Sequence, residues 1–74
     1  MHISVELFGQ LARDFPRPQD LELSQALTVR EIAGLLEIDI EQVGLITING
    51  RQCELEETVP EHSRLCFFPY MQGG

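Results

Sequence analysis

The sequence contains no lysine, and its only positively charged side chains are five arginines. Twelve aspartates and glutamates outnumber them and leave a formal net charge of −7 at pH 7. A protein that binds nucleic acid needs a basic surface for the phosphates, so this composition disfavours a nucleic-acid partner. An acidic surface suits a partner with a basic docking surface, although it also serves solubility.

Cysteine is scarce as well. Cys53 and Cys66 are the only two, and their spacing is not typical of metal ligands. Both fall in predicted strands, where a small buried apolar side chain is the expected role. A plant-type iron–sulfur site needs four cysteine ligands, so the sequence excludes that class of function and predicts no metal site.

Long apolar runs are absent too. No stretch of the sequence approaches the length that crosses a membrane. The first six residues lack the basic start and apolar run of a signal peptide. We therefore expect no membrane partner and a cytoplasmic location.

The size of the chain argues against an autonomous enzyme. Its 74 residues make one small domain, and a domain of this size buries only about 60–65% of its unfolded surface. It has no room for a cleft between domains. His2 and His62 are far apart in sequence and have no partnered nucleophile, so both are interpreted as surface histidines. We predict no catalytic residue within the chain itself.

The first quarter of the sequence predicts a pair of strands. Apolar and polar residues alternate over 2–7, which is typical of a half-buried strand, and Gly9 ends it. One helical turn is predicted over 11–15, stopped by Pro16. A second alternation over 20–24 predicts a short strand that pairs back onto the first as a hairpin.

The main helix has the clearest signals. Thr28 and Glu31 fit a capping box, in which each side chain accepts a hydrogen bond from the other residue's backbone amide. An apolar stripe at helical spacing follows, made of Val29, Ile32, Ala33 and Leu36. We expect this helix to end near Glu37, followed by a connection over 38–44.

The second half predicts three more strands. A β-prone run over 45–48 leads into Asn49-Gly50, the dipeptide most typical of a type I′ hairpin turn. The chain is predicted to return as a strand over 52–55. After an acidic connection, a final strand is predicted over 64–70.

The predicted order is therefore β-β-α-β-β-β. One main helix covering one face of a mixed sheet indicates an α+β fold, and a β-grasp, or ubiquitin-like roll, is the simplest arrangement with this count. We expect residues 1–70 to form a single β-grasp domain and residues 71–74 to form a flexible diglycine tail.

The last residues, Gly73-Gly74, are the most informative feature of the sequence. Glycine has no Cβ, so another chain can approach it closely. Extended at roughly 3.3 Å per residue, Gln72 to Gly74 would place an α-carboxylate about 10 Å from the domain. Such a segment could thread a narrow channel and be attacked there. The alternative is a frayed end, which is common at chain termini.

A docking surface is predicted next to this segment. A single helix covers only one face of a small sheet, so the other face should expose Phe68 together with Phe8. The alternative is that loops around Pro16 or Pro60 fold over these rings. Pro69 lacks an N–H for strand pairing and would stiffen the start of the tail. The predicted docking residues are Phe8, Phe68, Pro69, Tyr70, Met71 and Gln72.

Taken in order, these segments resemble the sulfur-carrier proteins of the MoaD/ThiS group, which are ubiquitin-like folds ending in diglycine. The resemblance covers nearly the whole chain. It rests on the opening strand, Phe8-Gly9-Gln10-Leu11-Ala12-Arg13, Leu27-Thr28-Val29-Arg30-Glu31-Ile32, Ile48-Asn49-Gly50-Arg51, Phe67-Phe68-Pro69 and Gly73-Gly74. The Phe-Phe-Pro sequence is more similar to the small subunit of molybdopterin synthase than to the thiamine-pathway carrier. Tyr70 stands where that subunit commonly has a second proline.

The resemblance implies a carrier with no bound cofactor of its own. An adenylyltransferase of the ubiquitin-activating type would bind the tail and use ATP to adenylate the Gly74 carboxylate. Sulfur from a persulfide would then convert the carboxylate into a thiocarboxylate. In complex with a larger synthase subunit, that sulfur would be donated to a pterin precursor in molybdopterin biosynthesis, for the molybdenum or tungsten cofactor.

Three alternatives stay open at this point. The same carrier chemistry could supply thiamine, cysteine or another sulfur pathway. The chain could instead be a β-grasp interaction module in which the diglycine is incidental. It could also be a protein modifier that is conjugated to lysines.

Overall fold

The computed structural model describes residues 1–13 and 15–70. In chain order these residues form β1 (His2–Leu7), a 3₁₀ helix (Gly9–Arg13), β2 (Gln19–Glu22), α1 (Val29–Leu35), a second 3₁₀ helix (Ile40–Gln42), β3 (Val43–Ile48), β4 (Arg51–Gln52) and β5 (Arg64–Pro69). The predicted order of strands and main helix is confirmed. The second 3₁₀ helix lies in a segment that was predicted to be a plain connection.

The strands form one mixed sheet with the order β2-β1-β5-β3-β4. β1 and β5 are parallel, and the remaining neighbours are antiparallel, including the predicted hairpin of β1 and β2. β5 is therefore the central strand, hydrogen-bonded on both sides. This arrangement is the β-grasp that the sequence predicted.

One face of the sheet packs against α1 and forms the core. Ile3, Val5 and Leu7 are the buried positions along β1, and Leu65 and Phe67 lie beside them on β5. The helix contributes the fully buried residues Val29, Ile32 and Ala33. Burying each large apolar side chain stabilises the fold by about 1.5–3 kcal/mol. We call the face opposite α1 the outer face.

The predicted capping box is present at the start of α1. Thr28 Oγ1 accepts a hydrogen bond from the Glu31 amide at 3.1 Å, and Glu31 Oε1 accepts one from the Thr28 amide at 2.8 Å. The carbonyls of Leu55 and Glu57 accept hydrogen bonds from first-turn amides of the helix. Because these carbonyls turn toward the helix, the return strand ends at Gln52 rather than at the predicted residue 55.

The hairpin turn between β3 and β4 is also confirmed. Asn49 and Gly50 both have positive φ, at 53° and 84°, as a type I′ turn requires. The Asn49 side chain accepts a hydrogen bond from the Arg64 amide at 2.9 Å. The turn is thereby fixed to the first residue of β5.

β3 begins two residues earlier than predicted. Its pairing with β5 shifts register between Val43 and Leu45, so that Gly44 is the extra residue of a β-bulge. Over residues 1–13 and 15–70, none of the helices is long and apolar enough to cross a membrane.

Candidate functional site

An apolar patch lies on the outer face, at the end of the sheet where β1 and β5 end and β3 begins. We define the outer-face patch as Phe8, Leu45 and Phe68. Leu45 is the register partner of Phe68, and the Phe8 ring stacks on the Phe68 ring with centroids 4.6 Å apart. Leu45 and Tyr70 are 38% and 59% exposed. The predicted residues Phe8 and Phe68 are thus brought together at one end of the sheet, and Tyr70 follows directly after the end of β5.

Stacking changes how much of each phenylalanine is exposed. Phe8 and Phe68 are half-buried rather than fully open, because each ring covers a face of the other. Offset stacked pairs at this distance stabilise by about 0.5–1.5 kcal/mol beyond the area that they bury. The pair therefore presents a rigid apolar surface at small cost to the free domain.

Pro69 is the last residue of β5, and two glycines touch it and its neighbour. A Cβ built on Gly9 would lie 2.7 Å from Pro69 Cγ. A Cβ built on Gly44 would lie 2.9 Å from Tyr70 Cα and 3.1 Å from the Pro69 carbonyl oxygen. Backbone from the first 3₁₀ helix and from β3 thus packs directly against the point where β5 ends.

Two carboxylates border this end of the sheet. Asp39 and Glu41 line a shallow cavity together with Gln10, Gln42 and Tyr70, and we call these two carboxylates the acidic rim. Asp39 also caps the second 3₁₀ helix, where its Oδ1 accepts a hydrogen bond from the Glu41 amide at 3.0 Å. The patch and the rim together present an apolar centre with negative charge beside it.

Two arginines pair with carboxylates outside the rim. Arg64 is 2.5 Å from Glu6, and Arg30 is 2.7 Å from Glu56. The hydrogen bond to Glu6 raises the pKa of the exposed Arg64 guanidinium above its ordinary value, so it stays charged. Arg13 and Glu37 line the adjoining cavity, which shares Asp39 with the first.

The two histidines lie at the other end of the sheet. β1 runs from His2 toward Phe8, so the imidazoles are roughly 20 Å from the outer-face patch at 3.3 Å per residue. Their ring centroids are 6.4 Å apart, and the His2 ring faces Glu22 at 3.5 Å. In the part of the chain that the structure describes, no group of three His, Cys, Asp or Glu side chains could hold a metal ion. Both histidines are exposed, as predicted.

The cysteines are buried, as the sequence predicted. Cys53 and Cys66 are free thiols with 5% and 3% exposure. Burial, assisted by the nearby carboxylates of Glu57 and Glu54, raises the pKa of the Cys53 thiol against the opposing effect of Arg51. A thiol with a raised pKa is a poor nucleophile at neutral pH, so Cys53 acts as a small core side chain.

Four of the predicted site residues lie outside the described residues, namely Met71, Gln72, Gly73 and Gly74. Sequence reasoning missed Leu45, Gly9 and Gly44, and also the two carboxylates of the acidic rim. Leu45 could have been found from the register of an assumed β3–β5 pair, and Gly9 from its position just before the predicted helical turn. Gly44 had no local signal, because a bulge depends on the pairing of two distant strands.

No family model matches this sequence, and no curated protein sequence matches it either. Solved structures do. The crystal structure of SAMP1 from Haloferax volcanii matches over 100% of both chains, with a TM-score of 0.76 at 20% identity. A crystal structure of small archaeal modifier protein 1 from H. volcanii matches over 95% of this chain and 98% of that one, with a TM-score of 0.74 at 20% identity.

A complex of subunits 1 and 2 of the molybdopterin-converting factor from Helicobacter pylori is also similar. The match covers 100% of both chains, with a TM-score of 0.68 at 16% identity. At these identities the likeness concerns the fold. The chain has the ubiquitin-like β-grasp fold found in a small modifier protein and in a molybdopterin-converting factor.

Proposed function

We propose that this chain is a sulfur carrier whose C-terminal glycine carboxylate is activated by a partner and converted into a thiocarboxylate. One observation carries the proposal most directly. The central strand β5 ends at Pro69 beside an apolar patch, and the sequence reaches Gly73-Gly74 four residues later. A partner that docks on the patch would have the diglycine within reach of its own active site.

The chemistry follows from the properties of a carboxylate, which is a poor acyl donor. With Gly74 as the terminal residue, its carboxylate oxygen would attack the α-phosphorus of ATP held by the partner, and pyrophosphate would leave. A persulfide would displace AMP from the acyl-adenylate and form an acyl disulfide. A second thiol of the partner would then break the sulfur–sulfur bond, which releases the thiocarboxylate and leaves a disulfide on the partner.

In this scheme the chain supplies no catalytic residue. The described histidines lie far from the patch, and the Cys53 thiol is buried with a raised pKa. ATP belongs to the activating enzyme, so the chain itself binds no cofactor. Its contributions are a docking surface and an end slender enough to enter another protein's active site.

Two partners fit this role. The first is an adenylyltransferase of the ubiquitin-activating type, and the second is a larger subunit that accepts the sulfur. The Helicobacter pylori structure is a complex of the two subunits of a molybdopterin-converting factor, which favours the molybdopterin branch for a chain of this fold. A net charge of −7 and the acidic rim predict that both partners present basic side chains around an apolar site.

A second candidate is a protein modifier, because SAMP1 is a small archaeal modifier protein with the same fold. The adenylated Gly74 would then be transferred to an amine of a target protein. This chain has no lysine, so none of its own side chains could accept another copy. Copies on a target would therefore not be linked to one another through side-chain amines.

Intact mass spectrometry tests the proposal. The protein is incubated with the activating enzyme of the same organism, ATP and a persulfide donor, and the same mixture without ATP is the control. We expect the mass to rise by the difference between one sulfur and one oxygen atom. An unchanged mass with AMP produced and high-mass adducts on a denaturing gel would support the modifier instead. An unchanged mass without AMP would overturn both.

A further inference from the structure

Gly9 meets Pro69 in a conformation that other residues rarely adopt. Its φ of 58° lies in the left-handed region, where an L side chain is strained. A Cβ at this position would be 2.7 Å from Pro69 Cγ and 3.3 Å from Pro69 Cδ. The contact with the proline ring therefore excludes a side chain at this position, and the backbone angle disfavours one.

Gly44 approaches the same point from the neighbouring strand. A Cβ here would lie 2.9 Å from Tyr70 Cα and 3.1 Å from both the Tyr70 nitrogen and the Pro69 oxygen. All three are backbone atoms, so no change of side-chain rotamer can relieve the contact. Even the methyl group of alanine would displace the backbone of β5 where it ends.

The other two glycines among the described residues do not show this crowding. A Cβ on Gly34 in α1, or on Gly50 in the hairpin turn, would meet nothing within 4 Å. The two glycines with close neighbours, Gly9 and Gly44, thus both lie beside the end of β5. Gly44 is also the extra residue of the bulge, and bulges commonly redirect a strand or end its pairing.

We infer that Gly9 and Gly44 are positioning residues that fix the backbone at Pro69 and Tyr70, from which the chain continues to the carboxylate offered to the activating enzyme. This inference rests on the proposed function. Only four residues lie between the Tyr70 backbone and the end of Gly74, so a displaced Tyr70 shifts the point from which the carboxylate is offered. A misplacement of about 1 Å at a reacting group can lower a rate a hundredfold.

The two glycines act without touching the reacting atoms. Neither glycine contributes a side chain to the outer-face patch, so a substitution at either position removes none of its apolar surface and should not abolish docking. Their effect should fall on the step that needs the carboxylate in place, which is its attack on the α-phosphorus of ATP. A substitution that only weakened the fold would instead lower the melting temperature and leave the folded fraction fully active.

The test compares Gly44→Ala and Gly9→Ala with Gly34→Ala, an alanine substitution in open space. ATP–pyrophosphate exchange by the activating enzyme is measured against carrier concentration, at a temperature where circular dichroism shows every variant folded. We expect Gly44→Ala to lower kcat at least tenfold with KM changed less than threefold. Gly34→Ala should stay within twofold of the unchanged protein in both constants.

A second pair of variants covers the case in which Gly44→Ala does not fold. Pro69→Ala removes the ring atoms that a Cβ at residue 9 would strike, so the double variant Gly9→Ala/Pro69→Ala should recover most of the kcat that Gly9→Ala loses. Full activity of folded Gly44→Ala or of folded Gly9→Ala would overturn the positioning role and leave the proposed function standing. No exchange with the unchanged protein would overturn both.

Discussion

The ring of Phe8 lies stacked on the ring of Phe68, with their planes within 8° of parallel. The two residues are 60 positions apart in sequence and meet because β1 and β5 run side by side in parallel. Leu45 joins them from β3 as the register partner of Phe68. Three strands thus contribute to one apolar surface next to the end of β5.

Truncating this stack should weaken partner binding more than it weakens the fold. Phe68→Ala removes a half-buried ring, so we expect the free energy of unfolding to fall by about 1–3 kcal/mol, below the range for a fully buried phenylalanine. The dissociation constant for the larger subunit should rise at least tenfold, as for a central aromatic contact. Urea denaturation and isothermal titration calorimetry measure the two effects.

Leu35→Ala is the matched control for this experiment. Leu35 is 61% exposed at the end of α1, away from the outer face, so its truncation also removes exposed apolar surface. It should leave the dissociation constant within twofold of the unchanged protein. Equal losses for the two variants would mean that the outer-face patch is not the docking site.

The outward position of Phe68 could be predicted from strand alternation, because one helix leaves one face of the sheet uncovered. The capping box at Thr28 and the turn at Asn49-Gly50 were predictable because each depends on residues no more than three positions apart. Gly44 was not, because its bulge exists only relative to β5. The end of β4 at Gln52 was not predictable either, because it depends on the carbonyls of Leu55 and Glu57, which accept hydrogen bonds from the distant helix α1.

The acidic rim should control how fast a partner associates. Asp39→Asn with Glu41→Gln removes two negative charges while keeping side chains of similar shape, and asparagine still caps the second 3₁₀ helix. We expect the association rate with a basic partner to fall about three- to tenfold at low salt, because electrostatic steering depends on the charge near the docking surface. The difference should shrink as ionic strength rises. Stopped-flow measurements at two salt concentrations test this.

The control variant for the rim is Asp20→Asn with Glu22→Gln. These exposed carboxylates lie on β2, near His2 and far from Tyr70, so the substitution gives the same change in net charge at the other end of the sheet. It should change the association rate less than twofold. Equal slowing by both double variants would show that only net charge matters and that the rim has no special role.

Stability should fall in mildly alkaline solution because of Cys53. Burial holds the pKa of its thiol above the ordinary value in the folded protein, while the unfolded chain ionises near pH 8.5. As the pH rises through that value, the unfolded state loses its proton first, so the free energy of unfolding declines. The decline continues until the thiol of the folded protein ionises as well.

Urea denaturation between pH 7 and pH 10 under reducing conditions measures this decline. In Cys53→Ala the free energy of unfolding should decline less steeply with pH than in the unchanged protein. In Cys66→Ala it should decline as steeply as in the unchanged protein. An identical slope in Cys53→Ala and the unchanged protein would show that Cys53 does not carry the effect.

The diglycine separates a carrier from a plain interaction module. Gly74→Ala adds a methyl group beside the carboxylate, and deletion of Gly73-Gly74 removes the reacting group altogether. A channel shaped for glycine should exclude the added methyl, so we expect thiocarboxylate formation to fall at least a hundredfold in Gly74→Ala, in keeping with the sensitivity of reacting groups to placement. Affinity for the larger subunit should fall much less, because the outer-face patch is unchanged.

Gly34→Ala, in open space on α1, is the matched control and should retain full activity. Thiocarboxylate is measured by intact mass and affinity by calorimetry. If cells that carry the protein without Gly73-Gly74 made their molybdenum cofactor at the normal level, the diglycine would have no role as a sulfur carrier, and the surface that binds the partner would be the whole function.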